Sequence, residues 1–254
     1  MAVTTSGKDK VTRYARAYWA GYDVSGDTRT FGNLGDPFET ADMTGWSNGV
    51  QNFLSNGFSP QTARGYQAIL NDTAASGAYT LFSGANKADI LIVALGGGGA
   101  PAVGDPSFML PARSVSDPAT FDSGTGVISV DFVYDTAQYS DNFATPWGQV
   151  LAEATAISST TTYSSTDSYT AAATTSGYSA AIHILTTASG NFAIKVQHST
   201  DDSAWADLFT FTTTGGAIGT ELASGTGTVN QYLRAVATRT AGTITPVIVF
   251  NRNI

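Results

Sequence analysis

The chain lacks the residues and segments on which several functions depend. It has no cysteine in 254 residues, which excludes disulfides and thiolate metal ligands. Its two histidines, His183 and His198, have no third ligand at a defined spacing, so we interpret them as surface or interstrand residues. The longest apolar run, residues 90–95, is strand-sized and far short of the roughly 18 residues that a membrane-spanning helix needs. These absences predict no metal site and no membrane segment.

Positive charge is also scarce. The formal net charge is −8, from 12 Lys and Arg against 20 Asp and Glu. Residues 1–155 hold 15 acidic and 8 basic residues, whereas residues 156–254 hold 5 and 4, so the acidity belongs to the first part. Phosphate binding needs clustered cations, so specific DNA binding is not expected. The first residues lack the apolar stretch of a secretory signal, which predicts synthesis in the cytoplasm.

Catalytic motifs are missing as well. The glycines of GGGGAPAVGDP are not followed by the GK[ST] pattern of a phosphate-binding loop, and no GxSxG nucleophile motif occurs. Asp201, Asp202 and Asp207 lack the DxDxDG spacing of a calcium loop, so turn chemistry is favoured for them and calcium is the alternative. We predict that the protein is not an enzyme and has no cofactor.

The sequence does contain many short apolar runs separated by turn residues. Residues 181–185, 192–196 and 208–211 are three such runs, which predicts a three-stranded meander. Residues 232–238 and 243–250 are two more, separated by a hairpin-sized RTAG. Only 13% of residues are charged, which suits antiparallel sheets. We predict an all-β fold, mainly an antiparallel β-sandwich or barrel, with at most one or two short helices.

Several individual segments carry their own predictions. Residues 14–22 alternate as one strand, and residues 89–95 are a strand buried on both faces. Residues 147–157 fit either a strand or a short helix, and a short helix is predicted at 74–82. Pro111 predicts an edge strand or a bend, and the glycine-rich residues 215–227 are interpreted as a loop.

A change in composition divides the chain. Residues 158–176 are rich in Ser and Thr, as in a linker or a hydroxyl-covered edge. We therefore predict an N-terminal arm at 1–17, a first β-domain at 18–157 and a second β-domain at 158–254.

Seven residues are candidates for contacts between subunits. They belong to the polar N-terminal arm, to an aromatic set that is either core or contact surface, and to a C-terminal strand whose proline predicts an edge or a bulge. The candidates are Lys8, Arg13, Phe38, Met43, Trp46, Pro246 and Phe250.

Parts of the sequence resemble a known family. AGYDVSGDTRTF, FETADMTGW and NGFSPQTARGY resemble the opening of tail tube (major tail) proteins of long-tailed bacteriophages. FAIKVQHSTDDSAWADL and GTVNQYLRAVATRTAGTITPVIVFNR are similar to passages in the same class, and the resemblance covers about half of the chain in patches. The matching positions in the first part are Gly21, Tyr22, Asp23, Val24, Ser25, Gly26, Glu39, Asp42, Met43, Thr44, Gly45, Gly57 and Gly65.

The resemblance implies a structural virion protein. Such subunits self-assemble into stacked rings, trimeric or hexameric, that form the tail tube through which genomic DNA passes without specific binding, with other tail proteins as partners and the virion tail as location. The chain is longer than many single-domain tube subunits, which implies either two fused β-domains or an outward decoration. The alternatives are another virion component, such as a head decoration or baseplate protein, and a carbohydrate-binding β-module with aromatic side chains along a groove.

Overall fold

The structure, a computed structural model, describes residues 14–30, 33–35, 40–42, 53–55, 62–71, 76–82, 88–116, 119–122, 127–136, 147–167 and 173–253. Within these ranges the chain forms eighteen strands and one short helix. The strands are β1 (Ala15–Trp19), β2 (Tyr22–Asp23), β3 (Thr28–Thr30), β4 (Asn33–Gly35), β5 (Thr40–Asp42), β6 (Phe53–Ser55), β7 (Thr62–Ile69), β8 (Ala88–Leu95), β9 (Pro106–Ser116), β10 (Ala119–Asp122), β11 (Val127–Thr136), β12 (Trp147–Ala152), β13 (Thr161–Thr162), β14 (Thr166–Asp167), β15 (Tyr178–Ser199), β16 (Ala206–Thr210), β17 (Gly219–Gly225) and β18 (Tyr232–Arg252), and α1 is Ala78–Phe82.

Sixteen of the described strands belong to one sheet, whose main path runs β16-β15-β18-β12-β9-β11-β7-β3. β5 and β6 form a separate two-stranded sheet. All pairings between these strands are antiparallel, and α1 has five residues, so the predicted all-β, mainly antiparallel fold is confirmed.

The central feature is a two-stranded ribbon of unusual length. β15 has 22 residues and β18 has 21, and they pair from Tyr178↔Arg252 to Ser199↔Tyr232. The predicted meander and C-terminal hairpin are therefore wrong at this point, because residues 181–185 and 192–196 lie on one strand and residues 232–250 lie on another. The third run of the meander does form its own strand, β16, beside β15.

A bend replaces the two turns that were predicted inside the ribbon. The register between β15 and β18 shifts between Ala188 and Asn191, opposite residues 241–243. Ser189 has a φ of 51° and Gly242 a φ of 67°, a left-handed conformation that tightens a strand locally. Turn-forming residues on both strands thus change the ribbon's direction without reversing it.

The bend lets the two halves of the ribbon share one core. Ile182 and Ile248 come from one half, Ile194 and Ala235 from the other, and all four are fully buried in the same cluster. Side chains in a strand alternate between faces, so this cluster collects the even-numbered face of β15 on both sides of the bend. The packing is that of a sandwich whose two layers come from the same pair of strands.

The opposite face of the ribbon's first half covers a second core, which we call the interior core. Val249 of β18 packs there with Val150 of β12, Met109 of β9, Ile92 of β8 and Tyr18 of β1. The sheet must curl to bring these five strands around one interior. A side-chain bond supports the curl, since the Thr220 hydroxyl of β17 donates a hydrogen bond to the Asp89 carboxylate of β8 at 2.6 Å.

β8 is buried on both faces, as the sequence predicted. Ile92 and Ala94 belong to the interior core, whereas Leu91 and Val93 belong to a third core with Trp19 and Phe108. The continuous apolar run therefore serves two cores at once.

Two prolines inside strands, Pro246 and Pro111, lie where a neighbouring strand is interrupted. On one side of β18, β12 pairs as far as Ile248 and the next bridge is at Ile244, so Pro246 falls in the gap between them. β9 pairs with β8 on one side. On its other side, the described part of β9 pairs with β12 as far as Phe108 and with β11 from Ala112 onwards, and Pro111 lies between these two positions. Proline cannot donate to a ladder, so these gaps accept it.

These gaps correct the edge prediction for both strands. β18 has neighbours on both sides, and the register shift next to Pro246 places the extra residue, Leu185, on β15 and not on the proline's own strand. β9 likewise lies between neighbours rather than at an edge.

Two further segments differ from their predictions. Residues 14–22 form a tight hairpin, β1 to β2, because Ala20 and Gly21 both have positive φ values, 52° and 81°. Residues 215–227 include β17, which pairs with β15 from Tyr178 to Ile184. Within the described residues the short helix predicted at 74–82 is α1, and residues 147–152 form strand β12, as the strand alternative predicted.

The predicted domain boundary falls within this continuous sheet. β12 precedes residue 158 and pairs both with β9 of the first part and with β18 of the second. β1 begins at Ala15, inside the predicted N-terminal arm, and residues 1–13 lie outside the described residues. The division at residues 17 and 157 stays a prediction, with strands from both sides hydrogen-bonded in one sheet.

Candidate assembly surface

The predicted contact residues divide into two groups. Pro246 is buried, and Phe250 is 1% exposed and stacks on Tyr178 with ring centroids 5.5 Å apart. Both residues therefore contact the core of their own chain. The other five fall outside the described residues: Lys8, Arg13, Phe38, Met43 and Trp46. The contact role of the set stays a prediction.

The two histidines occupy different environments. His183 is completely buried in the interior core, and among the described residues its ring nitrogens make no well-formed hydrogen bond. His198 is half-buried, and its Nδ1 accepts a hydrogen bond from the Asn230 backbone N–H at 3.2 Å. Burial, with a smaller effect of the Arg252 charge, lowers the pKa of His198. In the described part of the chain no group of three or more metal-ligating side chains comes together.

Asp201 organises the turn between β15 and β16. Its Oδ1 accepts hydrogen bonds from the backbone N–H groups of Ser203 and Ala204, each at 2.9 Å, and from the Ser199 hydroxyl at 2.9 Å. These donors, the backbone ones first, hold the pKa of Asp201 well below its usual value. The carboxylate thus acts as the turn acceptor that the sequence favoured over a calcium ligand.

We expect Asp201→Ala to lower the thermal unfolding midpoint by a few degrees, because the turn loses its acceptor for three donors. The pKa of Asp201 is depressed in the fold, so its contribution is present above pH 3.8 and is lost as the pH falls below that value. Thermal melts at pH 7 and pH 3 measure both effects. Asp201→Asn retains one acceptor oxygen and is expected to lie between the two. Equal midpoints for all three proteins at pH 7 would contradict the assigned role.

Strand β16 forms one margin of the sheet. In the described part of the chain it pairs with β15 alone, and Ala206, Asp207 and Thr210 are exposed. Phe209 stacks on Tyr178 with centroids 4.8 Å apart, which fixes the strand to the core. An ordered strand with an open side is able to pair with another chain.

A connected group of side chains crosses the outer face beside this margin. The Arg234 guanidinium lies 4.1 Å from the centre of the Trp205 ring, and its Nε donates to the Gln197 side-chain oxygen at 2.8 Å. Gln197 in turn donates to the Asp207 carboxylate at 2.6 Å. Lys195 forms an ion pair with the other oxygen of that carboxylate at 2.9 Å. We refer to Lys195, Gln197, Trp205, Asp207 and Arg234 as the Arg234 cluster.

Pairing of the strands creates this cluster. Arg234 lies opposite Gln197, and Gln197 lies opposite Asp207, so three adjacent strands contribute one row. The hydrogen bonds to Gln197 and Lys195 lower the pKa of Asp207, with Gln197 as the larger cause. Sequence reasoning missed the cluster; its visible signal is the alternation in 192–197, where Lys195 and Gln197 alternate with the buried Ile194 and Val196.

The C-terminal end of β18 is tied to a neighbouring loop. Arg252 is 8% exposed and donates hydrogen bonds to the backbone carbonyls of Val229 and Asn230. It also donates to the Thr174 hydroxyl at 3.3 Å. This arrangement closes one end of the core that the two ribbon halves share.

Fold and surface together define an all-β protein built on a curled antiparallel sheet. In comparisons with known proteins, no family model matches the chain, and no curated protein or solved structure matches it significantly. None of the helices in the described ranges has the length and apolar character needed to cross a membrane.

Proposed function

We propose that this chain is a structural subunit of a virion, and that it self-assembles into the tail tube of a long-tailed bacteriophage. The observation that carries the proposal is the open margin of the sheet at β16. The sequence resemblance to tail tube proteins supports it independently. The net negative charge of −8 agrees with a wall along which DNA moves without being bound.

Ring assembly requires two different surfaces on each subunit. The main path of the sheet ends at β16 on one side and at β3 on the other. In the described ranges each of these strands has a single neighbour, β15 and β7 respectively. Two dissimilar margins suit a head-to-tail contact, which closes into a ring when the rotation between subunits allows it.

Electron microscopy of the purified protein tests the proposal directly. We expect hollow rings or tubes in negative stain, and a native mass measurement separates trimeric from hexameric rings. Ala206→Lys places a charge on the open strand and should reduce the number of assemblies strongly. Ala154→Lys, an identical change in the exposed segment after β12, is the matched control and should assemble normally. Wild-type protein that stays monomeric at high concentration would refute the proposal.

The alternatives give different results in the same preparations. A head decoration or baseplate protein would bind capsids or tail tips without forming tubes. A carbohydrate-binding module would remain monomeric and would bind to glycans displayed on an array.

A further inference from the structure

We propose that Arg234 is a carboxylate-binding residue whose ligand is an acidic side chain of a second copy of this chain. The inference rests on the proposed function for the identity of the partner. The chemistry of the site stands on the contacts of the Arg234 cluster.

The guanidinium of Arg234 is held in place from two directions. The Trp205 ring lies 4.1 Å below its central carbon, and the Gln197 oxygen accepts its Nε–H at 2.8 Å. Gln197 is itself fixed by Asp207, which is fixed by Lys195. A long, flexible side chain therefore loses most of its freedom before any partner arrives, which reduces the entropic cost of binding.

The binding edge of this guanidinium is still available. Among the described residues, the only hydrogen bond that Arg234 donates uses Nε, so the N–H groups of Nη1 and Nη2 are not engaged. In the same part of the chain, the ion pair of the cluster joins Lys195 to Asp207 and does not include Arg234. Arg234 is half-buried and forms no ion pair with an acidic side chain among the described residues. A planar fork of donors in this state matches a carboxylate.

Charge favours a second copy of the chain as the source of that carboxylate. The sequence has 20 acidic residues against 12 basic ones, and 15 of the acidic residues lie in residues 1–155. The Arg234 cluster lies on β15, β16 and β18, in the less acidic second part and next to the open strand β16. When two copies come together at that margin, an acid-rich region of one copy would therefore face Arg234 of the other.

Assembly measurements with matched variants test the partner. We expect Arg234→Gln to raise the protein concentration needed for assembly by about tenfold or more, and to weaken its dependence on salt. Arg234→Lys keeps the charge but loses the fork, so it should be intermediate. Arg239→Gln removes one charge from the same strand outside the cluster and should assemble as the wild type does. Thermal midpoints of all variants show whether they fold; if Arg234→Gln folds and assembles normally, the proposed partner is wrong.

Direct binding separates this inference from the proposed function. The probe is a hexaglutamate peptide, and the readout is the side-chain ¹⁵N resonance of Arg234 in protein kept below its assembly concentration. A titratable shift that Arg239 does not show supports the carboxylate site. If this shift occurs and the protein never assembles, the site stands and the tail tube proposal fails. If no shift occurs and Arg234→Gln assembles normally, the inference is overturned and the cluster serves only the sheet.

Discussion

Replacing Gly242 with alanine is expected to destabilise the protein by about 3 kcal/mol, because left-handed backbone strain and a steric overlap add together. Gly242 has a φ of +67°. A Cβ atom there would lie 2.1 Å from the backbone oxygen of Ser189 and 2.4 Å from that of Ala188. Backbone atoms of the opposite strand cannot move aside as a flexible side chain can. Urea denaturation at neutral pH measures the loss.

Two other glycines separate the causes of this effect. Gly227 has a φ of +109° and no atom within 4 Å of an added Cβ, so Gly227→Ala tests backbone strain alone. Gly219 has neither constraint, and Gly219→Ala should leave stability nearly unchanged. We expect the loss to increase in the order Gly219, Gly227, Gly242. A Gly242→Ala variant as stable as Gly219→Ala would mean that the ribbon does not bend at this point.

Folding stability is expected to fall as the pH is lowered from 6.5 towards 3. Of the two histidines, His183 is expected to contribute more to this loss. Burial lowers the pKa of His183 from 6.5 to about 3, and the Ile90 backbone opposes this only in part. Between these values the unfolded chain binds a proton that the folded chain excludes. The contribution of the neutral ring is therefore complete above pH 6.5 and is lost by roughly 1.4 kcal/mol for each pH unit below it.

The surroundings of His183 explain why its charged form is excluded. The ring is fully buried in the interior core, with the Tyr18 ring edge-on at 6.4 Å. The Ile90 backbone favours the charged form to a lesser degree than burial opposes it, but among the described residues neither ring nitrogen makes a well-formed hydrogen bond. Burial also raises the pKa of the Tyr18 phenol, so this neighbour stays neutral and offers no counter-charge. An imidazolium ion would lack a carboxylate partner among the described residues of this core.

The variant His183→Leu should flatten the pH dependence over this range. It removes two buried nitrogens that make no well-formed hydrogen bond to a described residue, so its stability at pH 7 is expected to equal the wild type or exceed it by about 1 kcal/mol. His198→Asn is the control, since His198 is only half-buried and should account for a smaller part of the same dependence. Denaturant unfolding between pH 3 and 8 gives both curves. A His183→Leu variant that keeps the full wild-type slope would contradict this assignment.

Local chemistry in the sequence predicted strands well and connections poorly. The run at 89–95 identified β8 because a strand that serves two cores needs apolar side chains on both faces. The residues TTASGN (186–191) and RTAG (239–242) are typical of turns, and each of them alone predicts that the chain reverses its direction. The geometry of each segment depends on the other segment, because the two face one another across the ribbon. A bend of that kind requires knowledge of the pairing.

The Arg234 cluster was beyond sequence reasoning for the same reason. Arg234 and Gln197 are separated by 37 residues, and only the register of β15 and β18 makes them neighbours. Trp205 lies just before β16, but the cation above its ring, Arg234, comes from β18. Contacts within one turn, such as those of Asp201, were predictable because they involve nearby residues.

The position of β18 has a consequence for how the protein forms during translation. β12, β13, β14 and β15 all pair with β18, although each of them is synthesised before it. While the ribosome is still adding residues 200–231, these strands have exposed hydrogen-bonding groups and no common neighbour. Non-local pairing of this kind makes folding slow and leaves nascent chains open to association with one another. The sheet is therefore complete only after β18 has been synthesised and has paired with these four strands.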